Sequence, residues 1–107
     1  MARRAPYDRV YDPEVGQHLL AIERKYHSLI RRQIERQLRY QPEVETRNRK
    51  SLLRPSALGS VWELRFGPGN RFRVFYRTDR ALRQVHILAV GVKVKDRLLL
   101  GGEEFEL

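Results

Sequence analysis

The sequence of 107 residues contains no cysteine. This absence excludes a disulfide scaffold, a thiolate nucleophile and any zinc or iron–sulfur site with cysteine ligands. The three histidines, His18, His27 and His86, are scattered along the chain, so a metal centre built from histidine is not expected either. The sequence therefore predicts a protein that works without a metal ion or another cofactor.

Long apolar runs are also missing from the sequence. No segment approaches the roughly 20 apolar residues that a membrane-spanning helix needs, and the basic N-terminus lacks the apolar core of a signal peptide. We therefore expect a cytoplasmic protein that does not enter a membrane. The length is typical of one domain, so residues 1–107 are expected to fold around a single core.

Basic residues are in excess. They number 22 against 13 acidic residues, which gives a formal net charge of +9. Eighteen of the 22 are arginine, whose planar guanidinium group suits phosphate and carboxylate partners. Such a chain indicates a polyanionic partner, either nucleic acid or an acidic protein. A genome rich in G and C would also favour arginine codons, so composition alone leaves both explanations open.

The first half of the chain is predicted to form a short strand at residues 6–11 and two helices. Residues 12–14 (Asp-Pro-Glu) are typical of a helix start. Apolar residues then follow at helical spacing from Val15 to Tyr26 and again from Leu29 to Leu38. Two antiparallel helices joined by a tight turn fit this pattern best, and one bent helix is the alternative.

The second half is predicted to form strands. Residues 43–59 show no sustained period and are expected to form a connecting loop. After residue 60 the apolar period changes to two, which is typical of strands, and reversals are predicted at residues 67–70 and 78–81. The predicted fold class is therefore α+β: an N-terminal strand, a two-helix hairpin and a three-stranded antiparallel meander, with the helices packed on one face of the sheet.

Alternation along the meander assigns side chains to its two faces. The residues expected beneath the helices are Trp62, Leu64, Phe66, Phe72, Val74 and Tyr76. The residues expected on the opposite, exposed face are Glu63, Arg65, Arg71, Arg73 and Arg77. Like charges on neighbouring strands repel one another, so this face is expected to bind an anion. The alternative is that the arginines extend into water and cover apolar surface with their stems.

Two further basic groups flank the meander. One lies in the predicted loop and comprises Arg47, Arg49 and Lys50. The other follows the last predicted strand and comprises Lys93, Lys95 and Arg97. A serine–histidine–aspartate arrangement, a phosphate-binding glycine loop and a paired-carboxylate motif are all missing, and His86 lies in an apolar run where a core or edge position is expected.

The order of elements and several short motifs resemble the RelE/ParE superfamily of toxins from bacterial toxin–antitoxin pairs. The motifs lie at residues 62–65 (Trp-Glu-Leu-Arg), 73–76 (Arg-Val-Phe-Tyr) and 90–93 (Val-Gly-Val-Lys). Residues 46–50 and 101–105 resemble the RelE-like branch in particular. The resemblance extends from Tyr7 to Phe105, and it implies a small basic toxin that an acidic, partly disordered antitoxin holds inactive.

The resemblance also implies an activity and a set of site residues. RelE-like members cleave mRNA on the ribosome without a metal, whereas ParE-like members inhibit DNA gyrase. The candidate catalytic residues are Arg65, Arg73, Lys93, Lys95 and Glu63. The candidate RNA-binding residues are Arg47, Arg49, Lys50, Arg71, Arg77 and Arg97. Arg65 and Arg73 are expected to hold the scissile phosphate, and Lys93 or Lys95 to transfer protons.

The sequence departs from the family pattern at two positions. Glu63 occupies the first basic position of its strand, and Leu99 lies near the position of a C-terminal tyrosine. Three functions therefore stay open: a ribosome-dependent endoribonuclease toxin, a non-enzymatic inhibitor of DNA gyrase, and an inactive homologue that only binds its antitoxin.

Overall fold

The computed structural model describes residues 5–52, 57–59 and 62–106 of the chain. These residues form two α-helices, α1 (Val15–Leu20) and α2 (His27–Leu38). They also form seven strands: β1 (Asp8–Tyr11), β2 (Arg49–Ser51), β3 (Trp62–Phe66), β4 (Phe72–Asp79), β5 (Gln84–Val94), β6 (Arg97–Leu100) and β7 (Glu103–Glu104). The predicted α+β class is confirmed.

The strands join into one sheet with β5 near its centre. The order is β2-β3-β4-β5-β6-β7, with antiparallel pairing throughout this path. β1 lies parallel to the first part of β5, and β6 pairs with the last part of the same edge. The long strand β5 therefore links the N-terminal strand to the C-terminal hairpin.

The sheet is larger than the predicted one. The expected connecting loop at residues 43–59 contains β2, and the expected basic tail contains β6 and β7. β2 consists of three polar residues, so its sequence shows no apolar period that reveals a strand. The reversal predicted at residues 78–81 also lies later in the chain, because β4 continues to Asp79 and the turn occupies residues 80–83.

Local hydrogen bonds explain where the helices begin and end. The Asp12 carboxylate accepts the Glu14 N–H at 2.9 Å in the turn before α1. The N-cap of α1 is Glu14, so the helix begins later than the sequence predicts. The ring nitrogen Nε2 of His27 lies 2.8 Å from the carbonyl oxygen of Leu19 and 2.9 Å from that of Ile22. Because carbonyl oxygens only accept, this nitrogen carries the proton. It ties the end of α1 to the start of α2.

The main core lies between the helices and one face of the sheet. Helix residues Ile30, Ile34 and Leu38 pack in one buried cluster with strand residues Leu64, Phe66, Phe72, Val74, Tyr76, Val85 and Ile87. Trp62 is half-buried against this cluster and stacks on Tyr76. The predicted assignment of these residues of β3 and β4 to the helix side is therefore confirmed. The hydroxyl of Tyr76 donates to the Pro42 carbonyl at 2.6 Å, and burial raises the pKa of this tyrosine.

A second, smaller core lies on the other face of the sheet. Phe75 and Ala89 are fully buried there beneath Leu98 and Leu100 of β6, and Leu58 and Phe105 pack against them. Gly91 makes this contact possible, because a Cβ at that position would lie 2.6 Å from Leu100 Cδ2 and 3.0 Å from the Leu99 oxygen. Within the described ranges, no helix has both the length and the apolar character that crossing a lipid bilayer requires.

Candidate functional site

The sheet face opposite the helices, termed the helix-free face, carries the basic residues that the sequence singles out. Arg65 of β3 and Arg73 of β4 are register partners and lie directly opposite each other. Their strands bring two guanidinium groups together on one surface. Like charges in this arrangement repel unless a counter-charge lies between them.

Glu63 supplies that counter-charge. Its Oε1 lies 2.5 Å from Arg65 Nε, and its Oε2 lies 3.4 Å from Arg73 Nη1. The Glu63 side chain is 5% exposed and that of Arg73 is 11% exposed, whereas 39% of the Arg65 side chain is accessible. Of the three groups, Arg65 is therefore the one presented to a ligand, and Arg73 supports it from a buried position.

Neighbouring asparagines fix the backbone beside this ion pair. Asn48 Nδ2 donates to the Arg65 carbonyl at 2.9 Å, and the Asn48 carbonyl accepts the Arg65 N–H at 2.8 Å. Arg73 Nε donates to the Asn70 carbonyl at 2.9 Å in the turn between β3 and β4. Arg73 therefore has a fixed orientation before any ligand arrives.

Two lysines complete the group. Lys50 is the register partner of Glu63, and it is exposed. Lys93 is two residues beyond Gly91, the register partner of Arg73, so Lys93 is a diagonal neighbour of Arg73 on the same face. We term Lys50, Glu63, Arg65, Arg73 and Lys93 the cationic cluster. Its four cations and one anion give a formal charge of +3, which favours an anionic ligand.

The prediction that the arginine face is exposed is wrong for part of that face. Phe75 lies between Arg73 and Arg77 along β4, and it is buried under β6. Arg73 and Glu63 are buried as well. The sequence period distinguishes the two faces of a strand, but it does not show that a later hairpin covers part of the outer face.

Arg71 does not lie on the helix-free face. Its guanidinium carbon is 5.1 Å from the ring centroids of Tyr26 and Phe72, on the helix side of the sheet. The reason is local, because Arg71 precedes β4 and has helical backbone angles, φ −72° and ψ −24°. Strand alternation therefore does not apply to it, and its predicted position is wrong.

Arg49 is not a solvated loop charge. Its side chain points to the helix side and is buried, with Nη1 donating to the Gln37 carbonyl at 2.6 Å and Nε to the Val44 carbonyl at 2.8 Å. Register explains the difference from its neighbour, since Arg49 pairs with the buried Leu64 whereas Lys50 pairs with Glu63. Arg49 thus donates a hydrogen bond to a carbonyl group at the C-terminal end of α2.

The remaining predicted residues are separated from the cationic cluster. Arg47 is exposed before β2, and Arg77 is exposed further along β4. Lys95 is exposed in the turn between β5 and β6, where its φ is 56°. Arg97 lies 3.8 Å from Glu104 across the hairpin of β6 and β7.

The segment near the expected C-terminal tyrosine position is apolar. Leu98 and Leu100 are buried against Phe75. This part of the face therefore offers no group for proton transfer. The residues that cover it, Phe105 and the β6–β7 hairpin, were not predicted as part of the site. The signal was present, because Gly101-Gly102 between two short runs is typical of a tight hairpin turn. Among the described residues no cluster of histidine, aspartate or glutamate is placed to hold a metal ion.

Comparison with known proteins shows a similarity in structure but none in sequence. No protein-family model matches the chain, and no curated protein is significantly similar in sequence. A chain in the crystal structure of the toxin–antitoxin complex RelBE2 from Mycobacterium tuberculosis superimposes with a TM-score of 0.63 and 22% sequence identity. The alignment covers 83% of this chain and 100% of that one. The two chains share a fold, and the predicted RelE-like fold is confirmed.

Proposed function

We propose that this protein is the toxin of a type II toxin–antitoxin pair and that it acts in the cytoplasm as a ribosome-dependent, metal-free mRNA endoribonuclease. The observation that carries the proposal is the opposed pair Arg65 and Arg73 within a cluster of charge +3 on the helix-free face. The partly exposed guanidinium group of Arg65 is suited to the oxygens of a phosphodiester, and the buried Arg73 supports it through their shared partner Glu63. The shared fold with a chain of a toxin–antitoxin complex supports the biological role.

The reaction required is an intramolecular transesterification at a phosphodiester of the RNA. The ribose 2′-oxygen attacks phosphorus, and the bond from phosphorus to the 5′-oxygen breaks. A base accepts the 2′-hydroxyl proton, and an acid donates a proton to the leaving 5′-oxygen. The products are a 2′,3′-cyclic phosphate and a 5′-hydroxyl.

The residues of the cationic cluster divide these tasks by their chemistry. Arginine side chains do not act as acids or bases in proteins, so Arg65, supported by Arg73, stabilises the growing negative charge on the phosphate rather than transferring protons. Lys93 on β5, with Lys95 in the following turn, is the candidate for proton transfer. Glu63 holds both guanidinium groups in place, and it is the carboxylate of the cluster that would lie beside the phosphate they bind.

Backbone contacts to flanking RNA are assigned to the exposed cations. Lys50 lies within the cationic cluster, and Arg47, Arg77 and Arg97 are exposed around it. Such contacts are salt-dependent and insensitive to sequence. Arg49 and Arg71 are left out of this set, because their guanidinium groups serve the fold.

An acidic antitoxin is the proposed protein partner. The same positive surface that attracts RNA would attract acidic side chains, and an apolar anchor in the partner would add affinity. Elution of the native complex in rising salt measures the electrostatic share of this contact. A complex that resists high salt would point to apolar contacts instead.

A specific observation favours a second candidate, a toxin that does not cut RNA. Leu98 and Leu100 are buried near the position where RelE-like enzymes have a tyrosine, and Glu63 is engaged by two arginines. This arrangement suits a non-enzymatic inhibitor of DNA gyrase or a homologue that binds only its antitoxin.

Two assays separate the candidates. Mapping mRNA 5′ ends in a purified translation system is expected to show new ends within translated codons when the protein is added and none without ribosomes. Supercoiling by purified gyrase is expected to continue unchanged at the same protein concentration. Inhibited supercoiling with intact mRNA would establish the second candidate.

A further inference from the structure

A second concave surface lies at the far end of β4 from the cationic cluster. It is a pocket of about 490 Å³ lined by Ala5, Tyr7, Tyr40, Arg80 and Arg83. The pocket combines two tyrosines with two arginines, residue types that proteins use to bind single-stranded RNA.

Each of the two tyrosine rings of this pocket has a guanidinium group against it. The Arg83 guanidinium carbon lies 4.5 Å from the Tyr7 ring centroid, and that of Arg39 lies 5.4 Å from the Tyr40 ring centroid. Tyr7 is buried, whereas Tyr40 is 46% exposed. Tyr40 therefore offers an accessible ring, held beside cations, on which a base can stack.

The charge of the pocket favours an anion. Arg39, Arg80 and Arg83 have two acidic neighbours. Glu43 pairs with Arg80, and the Asp79 carboxylate accepts the Leu82 N–H in the turn that joins Arg80 to Arg83, so the five groups carry a formal charge of +1. Arg80 Nε lies 3.3 Å from Glu43 Oε1, with side chains 80% and 28% exposed. An ion pair this exposed contributes little, so Arg80 can exchange the carboxylate for a phosphate.

Arg83 also favours binding of an anion in this pocket. Its Nη2 donates to the Ala5 carbonyl, which fixes the group against the Tyr7 ring. Its Nε is the one buried side-chain polar atom, among the described residues, that has no hydrogen-bond partner. A buried donor without an acceptor costs free energy. This donor is therefore a candidate for an acceptor that a ligand in the adjoining pocket supplies.

We propose that this pocket binds one nucleotide of single-stranded RNA, with the base against Tyr40 and its phosphate on Arg80 and Arg83. The proposal rests on the proposed function, which identifies RNA as the polyanion. Arg80 follows the end of β4, and the seven residues from Arg73 to Asp79 span roughly 20 Å. The exposed Arg77 lies between them on the helix-free face, whereas Tyr7 of the pocket packs in the helix-side core. One RNA strand that occupied both sites would therefore pass around the edge of the sheet.

The test measures binding of a fluorescein-labelled RNA decamer of mixed sequence to the full chain by anisotropy. Tyr40→Ala is expected to weaken binding by at least about fivefold, because loss of one stacked base costs roughly 1–3 kcal/mol. Tyr40→Phe keeps the ring and is expected to bind like the original chain. Arg80→Ala is expected to reduce the salt slope by about 0.7, whereas Arg32→Ala, an exposed arginine on α2, is the matched control for charge.

Each outcome decides the proposal. If Tyr40→Ala binds RNA as tightly as the original chain, the pocket proposal is overturned and the proposed function is unaffected. The same conclusion follows if Arg32→Ala and Arg80→Ala change the salt slope equally. Loss of antitoxin binding without loss of RNA binding in Tyr40→Ala would assign the pocket to a protein partner instead. Absence of RNA binding by the original chain also overturns it, whereas the proposed function is decided separately by the 5′ ends in the translation assay.

Discussion

Arg65 and Arg73 face each other across β3 and β4, and the carboxylate of Glu63 joins them. Two like charges on opposed strands would destabilise the sheet without this carboxylate. The same carboxylate holds Arg73 in a nearly buried position and leaves Arg65 partly accessible. One residue thus determines both the stability of this part of the sheet and the orientation of the cations.

Replacement of Glu63 by glutamine is expected to lower the free energy of unfolding by about 2 kcal/mol, because two guanidinium groups then face each other without a counter-charge. Urea denaturation measures the loss. The deficit should shrink partly at about 1 M salt, because salt screens the charge of the partly exposed Arg65 more than that of the buried Arg73. Glu103→Gln, on the exposed strand β7, serves as the control and should change stability by less than about 0.5 kcal/mol. A deficit of equal size at both salt concentrations would contradict the electrostatic explanation.

Arg49 and Lys50 are adjacent in sequence, and their substitutions should have opposite consequences. Arg49→Ala removes the donor to the Gln37 and Val44 carbonyls, so we expect a loss of roughly 2–3 kcal/mol of stability. Lys50→Ala should leave stability within about 0.5 kcal/mol and weaken RNA binding instead. Thermal unfolding and anisotropy, measured on both variants, check the pair. Stable Arg49→Ala protein with weak RNA binding would show that Arg49 contacts the ligand.

Gly91 should tolerate no larger residue. A methyl group there meets Leu100, Leu98 and the Leu99 backbone, so Gly91→Ala is expected to cost about 1–3 kcal/mol by overpacking. A methyl group added at Gly16 in α1 would meet no atom within 4 Å, so Gly16→Ala is expected to be neutral or stabilising by up to about 1 kcal/mol. Chemical denaturation compares the two variants. A neutral Gly91→Ala would mean that β6 does not pack on β5 as described.

Tyr76 should make the protein sensitive to alkali. Burial raises the pKa of Tyr76 above its ordinary value of 10.0, so the folded chain holds the phenol proton more tightly than the unfolded chain does. Its contribution to stability is fully present below the unfolded pKa and is lost as the pH rises above it. We expect the free energy of unfolding to fall steadily as the pH rises above about 10.

Tyr76→Phe is the control for that pH dependence. It should be less stable at neutral pH by about 1 kcal/mol, since the hydrogen bond to Pro42 is lost, but its stability should fall less steeply at alkaline pH. Parallel slopes for both proteins would assign the alkaline loss to other groups.

The sequence predicts much of the fold because its signals are periodic. The alternation in β3 and β4 and the apolar run in β5 identify strands, and the glycine-rich turn before Arg71 identifies the connection between β3 and β4. β2 lacks such a signal, since Arg49, Lys50 and Ser51 are polar and are held in the sheet by pairing with β3. Long-range pairing of this kind is not encoded in a local period.

The site is predicted less completely, for a related reason. Alternation places Arg65 and Arg73 on one face, and the structure brings them together there. Burial of Phe75 depends on Leu98 and Phe105, which are more than twenty residues away. The conformation of a single residue moves Arg71 to the other side of the sheet. Neither effect follows from composition or spacing.

The most direct test of the account is the map of mRNA 5′ ends in a purified translation system, made with the original chain and with Arg65→Ala. Arg65 is partly exposed, so its substitution should leave the fold intact, which a matched unfolding curve verifies. We expect new 5′ ends with the original chain and at least about a hundredfold fewer with Arg65→Ala, the usual loss when one charge-stabilising donor is removed. Equal cleavage by both proteins, or no cleavage by the original chain, would contradict the assignment of this surface as a ribonuclease site.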